Sequence, residues 1–284
     1  MPLTPVNHSL GTPFVELQSI DSTNNYALAQ IHANLAQPGT CYFAHEQTAG
    51  KGQRGKSWTS EKDSNIILTI VLKPLFLQTF QQFYLGACAG VAAHQFLKKL
   101  TGDDLKIKWP NDIYWKDQKL GGILIENVIG PMRSDHWQMT ENQKLSASKN
   151  QPATVHQLSI WKWAIIGLGI NVNQEKFPDS IKNPVSLKQI TKQSFNTVQL
   201  ARAFCKTMDR FYKRLNKNPN SILELYNQVL YKKNEIVKFK KGNRNFQALV
   251  KSVNETGQLI VQHSIEEKVD FGEVEWLLEK AGRE

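Results

Sequence analysis

A glycine-rich basic loop is the part of the chain whose residue types point most directly to chemistry. Residues 47–58 read Gln-Thr-Ala-Gly-Lys-Gly-Gln-Arg-Gly-Lys-Ser-Trp, so that three glycines alternate with three cations and a tryptophan ends the run. Glycine lets the backbone adopt positive φ and approach a ligand closely, and successive N–H groups in such a loop form a concave anion site. Lys51, Arg54 and Lys56 add positive charge to that site. The loop therefore predicts phosphate binding, without the spacing of a Walker A loop or a dinucleotide fingerprint. A solvated turn is the alternative that this loop alone leaves open.

Length and composition exclude several classes of protein. The chain has 284 residues, of which 40% are hydrophobic and 21% charged, as in a globular protein of one or two domains. It contains no apolar run of about 18 residues and no secretory signal at its start. Cys41, Cys88 and Cys205 lie far apart without the spacing of zinc ligands or a disulfide framework. We therefore expect a protein of the reducing cytoplasm with its cysteines in the core.

The chain is basic, and much of the excess charge lies in one segment. The formal net charge is +10, and residues 186–218 hold eight Lys and Arg residues against the single acidic residue Asp209. A basic surface of this kind can bind nucleic acid. No helix-turn-helix or zinc finger is recognisable, so a solvated helix face is the favoured interpretation.

Apolar periodicity predicts a mixture of strands and helices. The run 65–72 predicts a strand buried on both faces. Asp21-Ser22-Thr23 follows a predicted strand at 14–17 and is typical of a helix N-cap. A hairpin is predicted around residues 116–119. The remaining predicted elements are strands at 40–44, 105–109, 112–115, 121–126 and 161–172 and helices at 80–100, 197–216 and 221–231.

The character of the chain changes between residues 127 and 160. Within it, residues 130–158 are polar and poor in aliphatic residues. It predicts an exposed, partly mobile insertion, with a short strand at 136–139.

The apolar period changes again near residue 233, from helical spacing to alternation. The predicted strands here are 235–239, 246–253 and 258–262. Short strands of this kind predict a small β-barrel. We therefore predict a first domain at 1–232 and a second domain at 233–284.

Five short sequences with polar or glycine residues occur along the chain in a fixed order. They are Ser22-Thr23-Asn24, the loop at 47–58, Lys108-Trp109-Pro110-Asn111-Asp112, the run Lys-Leu-Gly-Gly-Ile-Leu-Ile-Glu from Lys119 to Glu126, and Gly167-Leu168-Gly169-Ile170-Asn171-Val172-Asn173. In this order, and with the C-terminal strands, the set resembles biotin protein ligases. The resemblance covers roughly residues 14–280, except for 127–160.

The resemblance implies an α+β fold, with a class II synthetase-like catalytic core of mixed sheet and flanking helices and a small SH3-like β-barrel at the C-terminus. It also implies a two-step reaction with ATP and biotin as substrates and with Mg²⁺. The biotin carboxylate attacks the α-phosphate of ATP, which gives biotinyl-5′-AMP and pyrophosphate. A lysine of a biotin carboxyl carrier protein, of acetyl-CoA carboxylase or another biotin-dependent carboxylase, then takes the biotin and releases AMP. The barrel is either a packing module or part of the carrier-docking and ATP-gating surface, and the family favours the second. Neither DNA nor a membrane is an expected partner.

The resemblance also implies roles for individual residues. Short polar side chains suit the ureido ring of biotin, and cations neutralise the two anions that meet in the first step. Lys119 and Arg54 are the expected catalytic residues, Trp58 is expected to stack on adenine, and Asp112 is the expected Mg²⁺ ligand. The expected biotin-binding residues are Ser22, Thr23, Asn24, Gln47, Lys51, Gly52, Gln53, Lys119, Gly122 and Gly167. The expected ATP-binding residues are Gly50, Arg54, Lys56, Trp58, Lys108, Asn111, Asp112 and Asn171.

The glycine loop departs from the family pattern Gly-Arg-Gly-Arg-x-Gly-Arg. Lys51 and Lys56 stand where arginines are usual, and Gln53 replaces a cation. Lysine cannot form the bidentate fork that arginine offers to phosphate or carboxylate. We hypothesise that the adenylate is held less tightly than in an arginine-rich relative. Unchanged adenylate dissociation in Gln53→Arg would refute this.

About a dozen residues precede the first predicted strand, which is too few for a winged-helix domain. We therefore expect a ligase without repressor function, and sequence-specific operator binding by this chain alone would contradict that expectation.

Two alternative functions stay open. A lipoate–protein ligase shares the fold and the acyl-adenylate chemistry, but lipoate lacks the ureido group that would match Ser22-Thr23-Asn24. A nucleic-acid-binding protein with an SH3-like tail is suggested by the basic segment 186–218. Salt-dependent DNA binding without ATP turnover would favour that second alternative.

Overall fold

A mixed seven-stranded sheet forms the centre of the larger part of the molecule. The computed structural model describes residues 9–131 and 159–277. The strand order is β1-β2-β3-β7-β6-β5-β4, in which β1 and β2 are parallel and the other neighbours antiparallel. The strands are β1 Phe14–Leu17, β2 Cys41–Ala44, β3 Asn65–Leu72, β4 Leu105–Lys108, β5 Asp112–Trp115, β6 Gln118–Pro131 and β7 Ser159–Asn171. The predicted mixed sheet is confirmed.

Helices cover both faces of this sheet, which explains the continuous apolar sequence of β3. All eight residues of β3 are buried. Its Ile66, Leu68 and Ile70 belong to the main core, whereas Val71 packs on the other face with Ala27. The helices are α1 Thr23–His32, α2 Gln82–Thr101, α3 Leu187–Thr191, α4 Thr197–Lys217 and α5 Pro219–Gln228. The face that α1 covers also carries the candidate site.

The long basic helix α4 is amphipathic, as its sequence predicts. Ala201, Phe204 and Met208 are buried at helical spacing against the core. Asn196 caps its start by accepting a hydrogen bond from the Gln199 N–H at 2.9 Å. The cations of this helix therefore lie on the face of the sheet opposite α1.

A second, five-stranded antiparallel sheet follows α5. Its order is β11-β10-β9-β8-β12. The strands are β8 Ile236–Lys241, β9 Arg244–Val253, β10 Leu259–Gln262, β11 Glu266–Val269 and β12 Glu275–Trp276. The three predicted strands are present, and β11 and β12 extend the sheet beyond them. Sequence reasoning missed β11 because Glu-Glu-Lys-Val offers one buried residue, and β12 because it has two residues. The SH3-like barrel and the domain boundary at 232/233 stay predictions.

Side-chain hydrogen bonds join the second sheet to the first part of the molecule. Trp109, at the end of β4, donates its indole N–H to the Gly257 carbonyl at 2.9 Å. The Asn227 amide of α5 exchanges hydrogen bonds with the backbone of Val253 at 2.7 and 2.9 Å. These contacts fix the turn between β9 and β10 against the strand that leads into Pro110-Asn111-Asp112.

The predicted insertion is shorter than expected where its ends are described. Strand β6 continues to Pro131 and β7 begins at Ser159, with Val128 opposite Trp163. Residues 127–131 and 159–160 therefore belong to the sheet, because pairing with the partner strand overrides their weaker apolar pattern. Residues 132–158, including the predicted strand at 136–139, lie outside the described residues. Among the described helices, none is long and apolar enough to cross a membrane.

Candidate active site

The first turn of α1 places three polar residues in the protein interior. Ser22, Thr23 and Asn24 are 2%, 3% and 3% exposed. Ser22 is the N-cap residue, as predicted, but its side chain makes no capping hydrogen bond to the helix. Burial of hydroxyl and amide groups is costly unless they find partners. A polar pocket is therefore built around the start of this helix.

Gln47 and Thr69 supply hydrogen-bond partners for Thr23 and Asn24. The Thr23 N–H donates to Gln47 Oε1 at 2.7 Å. The hydroxyl oxygen of Thr69, on β3, lies 2.8 Å from Thr23 Oγ1 and 2.6 Å from Asn24 Oδ1. Gly167 of β7 leaves room for the amide, since a Cβ there would lie 2.5 Å from Asn24 Oδ1. Residues from a helix, two strands and a loop thus converge on one polar network.

The glycine loop is folded back on itself beside this pocket. Trp58 N–H donates to the Gly50 carbonyl at 2.8 Å, and Gly52 N–H donates to the Lys56 carbonyl at 2.6 Å. Glycine is required at position 50, because a Cβ there would lie 2.3 Å from the Trp58 carbonyl oxygen. Arg54 occupies the left-handed region at φ 55°. Since these two N–H groups are used within the loop, anion binding would depend on its remaining N–H groups and its cations.

Trp58 lies over Gly169 of β7. A Cβ at Gly169 would be 2.5 Å from the Trp58 ring. The indole nitrogen is buried without a hydrogen-bond partner. Lys119 Nζ lies 5.9 Å from the centre of the same ring. The aromatic face and the lysine therefore border one space.

Lys119 and Asp112 form a half-buried ion pair. Their Nζ and Oδ1 atoms are 2.8 Å apart, with side chains 29% and 23% exposed. Gly122 lies beside the pair, since a Cβ there would be 3.2 Å from Asp112 Oδ1. The backbone of Lys119 is fixed on both sides, donating to Asn183 at 2.7 Å and accepting from Val185 at 3.0 Å.

Asn111 and Asn171 use their amides on the backbone. Asn111 Nδ2 donates to the Ile123 carbonyl at 2.5 Å. Asn171 is buried and donates to the Val185 carbonyl at 3.1 Å and towards the Lys119 carbonyl at 3.4 Å. Both amides thus hold the strand and loop that carry Lys119. Their predicted contact with nucleotide stays a prediction.

Lys108 is enclosed by aromatic rings next to the ion pair. Its Nζ lies 4.9 Å from the Tyr114 ring and 5.7 Å from the Trp276 ring of β12. Burial lowers the pKa of Lys108 to about 8, and the positive charges of Lys119 and Lys56 act in the same direction against the attraction of Asp112. A lysine with this pKa is partly neutral near pH 8.

Arg54 faces the second sheet. It donates from Nη1 to the Gly272 carbonyl at 3.3 Å, and its guanidinium lies 5.9 Å from the Phe271 ring. Phe271 in turn packs edge-on against Trp109, with ring centres 6.0 Å apart. Lys56 is exposed and Gln53 half-buried on the same loop.

The residues present fit an Mg²⁺ ion only if substrate phosphates and water supply most of its ligands. The described residues contain no cluster of three or more His, Cys, Asp or Glu side chains able to hold a metal. Asp112 offers one carboxylate, and Mg²⁺ often binds through one or two carboxylates together with phosphates and water.

Two residues of the network were missed by sequence reasoning. Thr69 lies within the apolar run of β3, and its sequence signal is a single hydroxyl in a strand that is otherwise Asn, Ile, Leu and Val. Glu126 accepts from Asn24 Nδ2 at 2.7 Å and lies 3.5 Å from Lys51 Nζ. Its signal was a carboxylate at the end of the apolar part of β6. The structure brings the other predicted residues to one side of the sheet, except that Arg54 turns to the second sheet.

Part of the sequence is similar to known proteins. Residues 16–137 match the model of the Biotin/lipoate A/B protein ligase family. The chain is 37% identical over 110 residues to the bifunctional ligase/repressor BirA of Escherichia coli (strain K12), covering 39% of this chain and 33% of that protein. It is 31% identical over 108 residues to the biotin–[acetyl-CoA-carboxylase] ligase of Mycobacterium tuberculosis (strain ATCC 25618 / H37Rv), covering 37% of this chain and 41% of the relative. The matches thus span well under half of these relatives' own length.

The fold is similar to solved ligase structures. The biotin protein ligase of Aquifex aeolicus in complex with biotin and ATP superposes with a TM-score of 0.70 at 21% sequence identity, covering 93% of this chain and 97% of that one. At this identity the likeness concerns the fold.

Proposed function

Because residues 16–137 match the model of the biotin/lipoate A/B protein ligase family, we propose that the protein is an ATP-dependent biotin–[biotin carboxyl carrier protein] ligase. It activates biotin as biotinyl-5′-AMP and transfers the biotin to a lysine of a carrier domain, in acetyl-CoA carboxylase or another biotin-dependent carboxylase. The observation that carries the proposal is the buried polar network at the start of α1, which contacts Gly167 of β7, two residues from the Gly169 that contacts Trp58 beside Lys119. The proposal places the protein in the cytoplasm and includes no repressor function.

In the first step a carboxylate oxygen of biotin forms a bond to the α-phosphorus of ATP. The bond from that phosphorus to the bridging oxygen breaks, and pyrophosphate leaves with the bond electrons. Lys119 binds the carboxylate and an α-phosphate oxygen, which lowers the repulsion between the two anions. Arg54, Lys51 and Lys56 neutralise the triphosphate. Mg²⁺, held by Asp112 and the phosphates, would supply further charge neutralisation.

In the second step the amine of the carrier lysine attacks the acyl carbon. The bond from that carbon to the phosphate oxygen breaks, AMP leaves, and the amine loses its proton to solvent. Lys119 stabilises the negative charge that develops on the acyl oxygen and on the leaving phosphate. The pocket groups Ser22, Thr23, Asn24 and Gln47 hold the ureido ring, and Trp58 stacks on adenine.

The experiment compares biotin and lipoate as acids for transfer to a purified biotin carboxyl carrier domain and a lipoyl domain. We expect ATP-dependent transfer of biotin, lost in Lys119→Ala and kept in Lys116→Ala. Lys116 is a matched control because it lies in the turn of the same hairpin, exposed and 4.7 Å from the Trp115 ring. Transfer of lipoate alone would instead make the protein a lipoate ligase. Transfer of neither acid would refute the proposal.

A further inference from the structure

A carboxylate at the edge of the pocket connects the first turn of α1 to the glycine loop. Glu126 lies on β6, two strands away from Thr69 on β3. Its Oε2 accepts a hydrogen bond from Asn24 Nδ2 at 2.7 Å, and its Oε1 lies 3.5 Å from Lys51 Nζ. The Glu126 side chain is 38% exposed, whereas Asn24 is 3% exposed. The interaction with Glu126 therefore acts on a side chain that is itself enclosed.

Glu126 determines which way the Asn24 amide points. An ionised carboxylate can only accept hydrogen bonds, so Asn24 must turn its NH₂ group towards it. The amide oxygen then faces Thr69 and the open backbone of Gly167. In the opposite orientation two oxygen atoms would meet at 2.7 Å, which is repulsive.

The direction of the hydrogen bond between Asn24 and Thr69 follows from the one between Asn24 and Glu126. The Thr69 hydroxyl must donate to Asn24 Oδ1, which accepts at 2.6 Å. Thr69 Oγ1 lies 2.8 Å from Thr23 Oγ1, whose own proton also has Gln47 Oε1 within reach at 3.0 Å. The Thr23 N–H donates to Gln47 Oε1, and the Gln47 amide nitrogen therefore points away, towards Gly50. The Glu126 carboxylate thus sets the direction of the Asn24–Thr69 hydrogen bond, whereas the Thr23 backbone N–H sets the orientation of Gln47.

We propose that Glu126 is a positioning residue that fixes the donor–acceptor pattern of the pocket through Asn24, and so selects a ligand with N–H groups such as a cyclic urea. The inference rests on the proposed function, in which that ligand is biotin. With Glu126 in place, Asn24 offers its amide oxygen to a ligand N–H. With glutamine at position 126, the Asn24 amide can form its hydrogen bonds in either orientation. In the molecules where the Asn24 NH₂ group faces the ligand, the hydrogen bond from the ligand N–H to the Asn24 oxygen is lost.

The test measures biotin affinity by titration calorimetry on the full-length chain. We expect Glu126→Gln to raise the Kd for biotin about twofold, because about half of the protein then presents the wrong end of the Asn24 amide. Asn24→Ala should raise the Kd by at least as much, and the double variant should bind no more weakly than Asn24→Ala alone. Each variant is accepted only if its thermal unfolding is cooperative. Glu224→Gln on the exposed face of α5 is the control and should bind as the wild type does.

A second background separates this role from simple charge pairing with Lys51. In Lys51→Met, Glu126→Gln should still raise the Kd about twofold, because the effect passes through Asn24. Loss of the effect in that background would overturn the inference, as would wild-type affinity in Glu126→Gln or full additivity with Asn24→Ala. No biotin binding by the wild-type chain would overturn the proposed function and this inference with it, whereas wild-type binding unaffected by Glu126→Gln would overturn the inference alone.

Discussion

Lys108 shows how the candidate site depends on the protonation of single residues. It lies opposite Asp112 in the β4–β5 pairing and under Trp276 of the second sheet. Burying an ammonium group costs free energy, and the aromatic rings of Tyr114 and Trp276 recover part of it. The two neighbouring cations, Lys56 and Lys119, add to the cost. A lysine kept here at a cost in stability is consistent with its proposed contact to ATP.

This cost predicts a pH dependence of stability. The pKa of Lys108 falls from 10.5 to about 8 on folding. Because the folded pKa is the lower one, the unfolded chain binds more protons between these values, and stability rises with pH there. The destabilisation is complete below about pH 8 and is lost towards pH 10.5. Lys108→Met should therefore raise the Tm at about pH 7, and the gain should shrink by about pH 10.

The measurement is the difference in Tm between variant and wild type at each pH, so that the contributions of the other titrating groups to the Tm cancel. Lys106→Met, two residues earlier on β4, is the matched control. A gain for Lys108→Met that stays constant from about pH 7 to about pH 10 would contradict the assigned burial cost.

Among individual residues, those whose side-chain type alone indicates ligand binding could be predicted from the sequence. Ser22, Thr23, Asn24 and Gln47 do converge, because a helix start fixes the direction of consecutive side chains. Thr69 and Glu126 could not be predicted, because their role depends on strands that are distant in sequence and adjacent only in the sheet. The hydrogen bonds of Asn111 and Asn171 to backbone carbonyls likewise depend on the folded loop at 183–185.

Strand β7 is the element that divides the site into two regions. Its glycines 167 and 169 lie on the same face, because alternate residues of a strand point the same way. Gly167 makes room for Asn24 and Gly169 makes room for Trp58. Neither has positive φ in the structure, so alanine is compatible with the backbone at both positions.

The two glycines should therefore separate binding of the two substrates. Gly167→Ala places a methyl group 2.5 Å from Asn24 Oδ1, and Gly169→Ala places one 2.5 Å from the Trp58 ring. We expect the first to raise KM mainly for biotin and the second mainly for ATP, each by roughly tenfold, which corresponds to about 1.4 kcal/mol. Steady-state kinetics with each substrate varied in turn will measure this, and each variant is the control for the other. Equal effects on both KM values in both variants would argue against two separate regions.

Most elements could be predicted because their apolar period is strong. Strand β3, helix α2 and helix α4 lie within a few residues of the predicted ranges. The ends of β6 and β7 could not be predicted, because residues 127–131 gain their conformation from pairing along a long hairpin. Strand β12 could not be predicted for the same reason, since its two residues are held by pairing with β8.

In the folded molecule, the glycine loop contacts the second sheet through Arg54. Arg54 donates to Gly272, and Phe271 joins that contact to Trp109, at the start of the Pro110-Asn111-Asp112 segment. Gly272 has φ 89°, and a Cβ there would lie 2.7 Å from Arg54 Nη1. The second sheet therefore supports the loop whose cations we propose to neutralise the triphosphate.

Displacing Arg54 from this contact should loosen the loop. We expect Gly272→Ala to speed dissociation of biotinyl-5′-AMP roughly two- to tenfold, the range expected for loss of one hydrogen bond of about 1 kcal/mol. Gly242→Ala is the matched control, because Gly242 also has positive φ in the same sheet but a Cβ there meets no atom within 4 Å. Stopped-flow release of preformed adenylate gives the rate. The same rate in both variants would show that the contact does not hold the loop.

Adenylate formation by the chain is the sharpest test of the proposed biotin ligase function, because it needs no carrier protein. The measurement is biotin-dependent exchange of labelled pyrophosphate into ATP, in the wild type, Lys119→Ala and Lys116→Ala. The proposed function predicts exchange that requires biotin, falls about 100-fold or more in Lys119→Ala and is unchanged in Lys116→Ala. Absence of exchange with biotin, or wild-type exchange in Lys119→Ala, would contradict it.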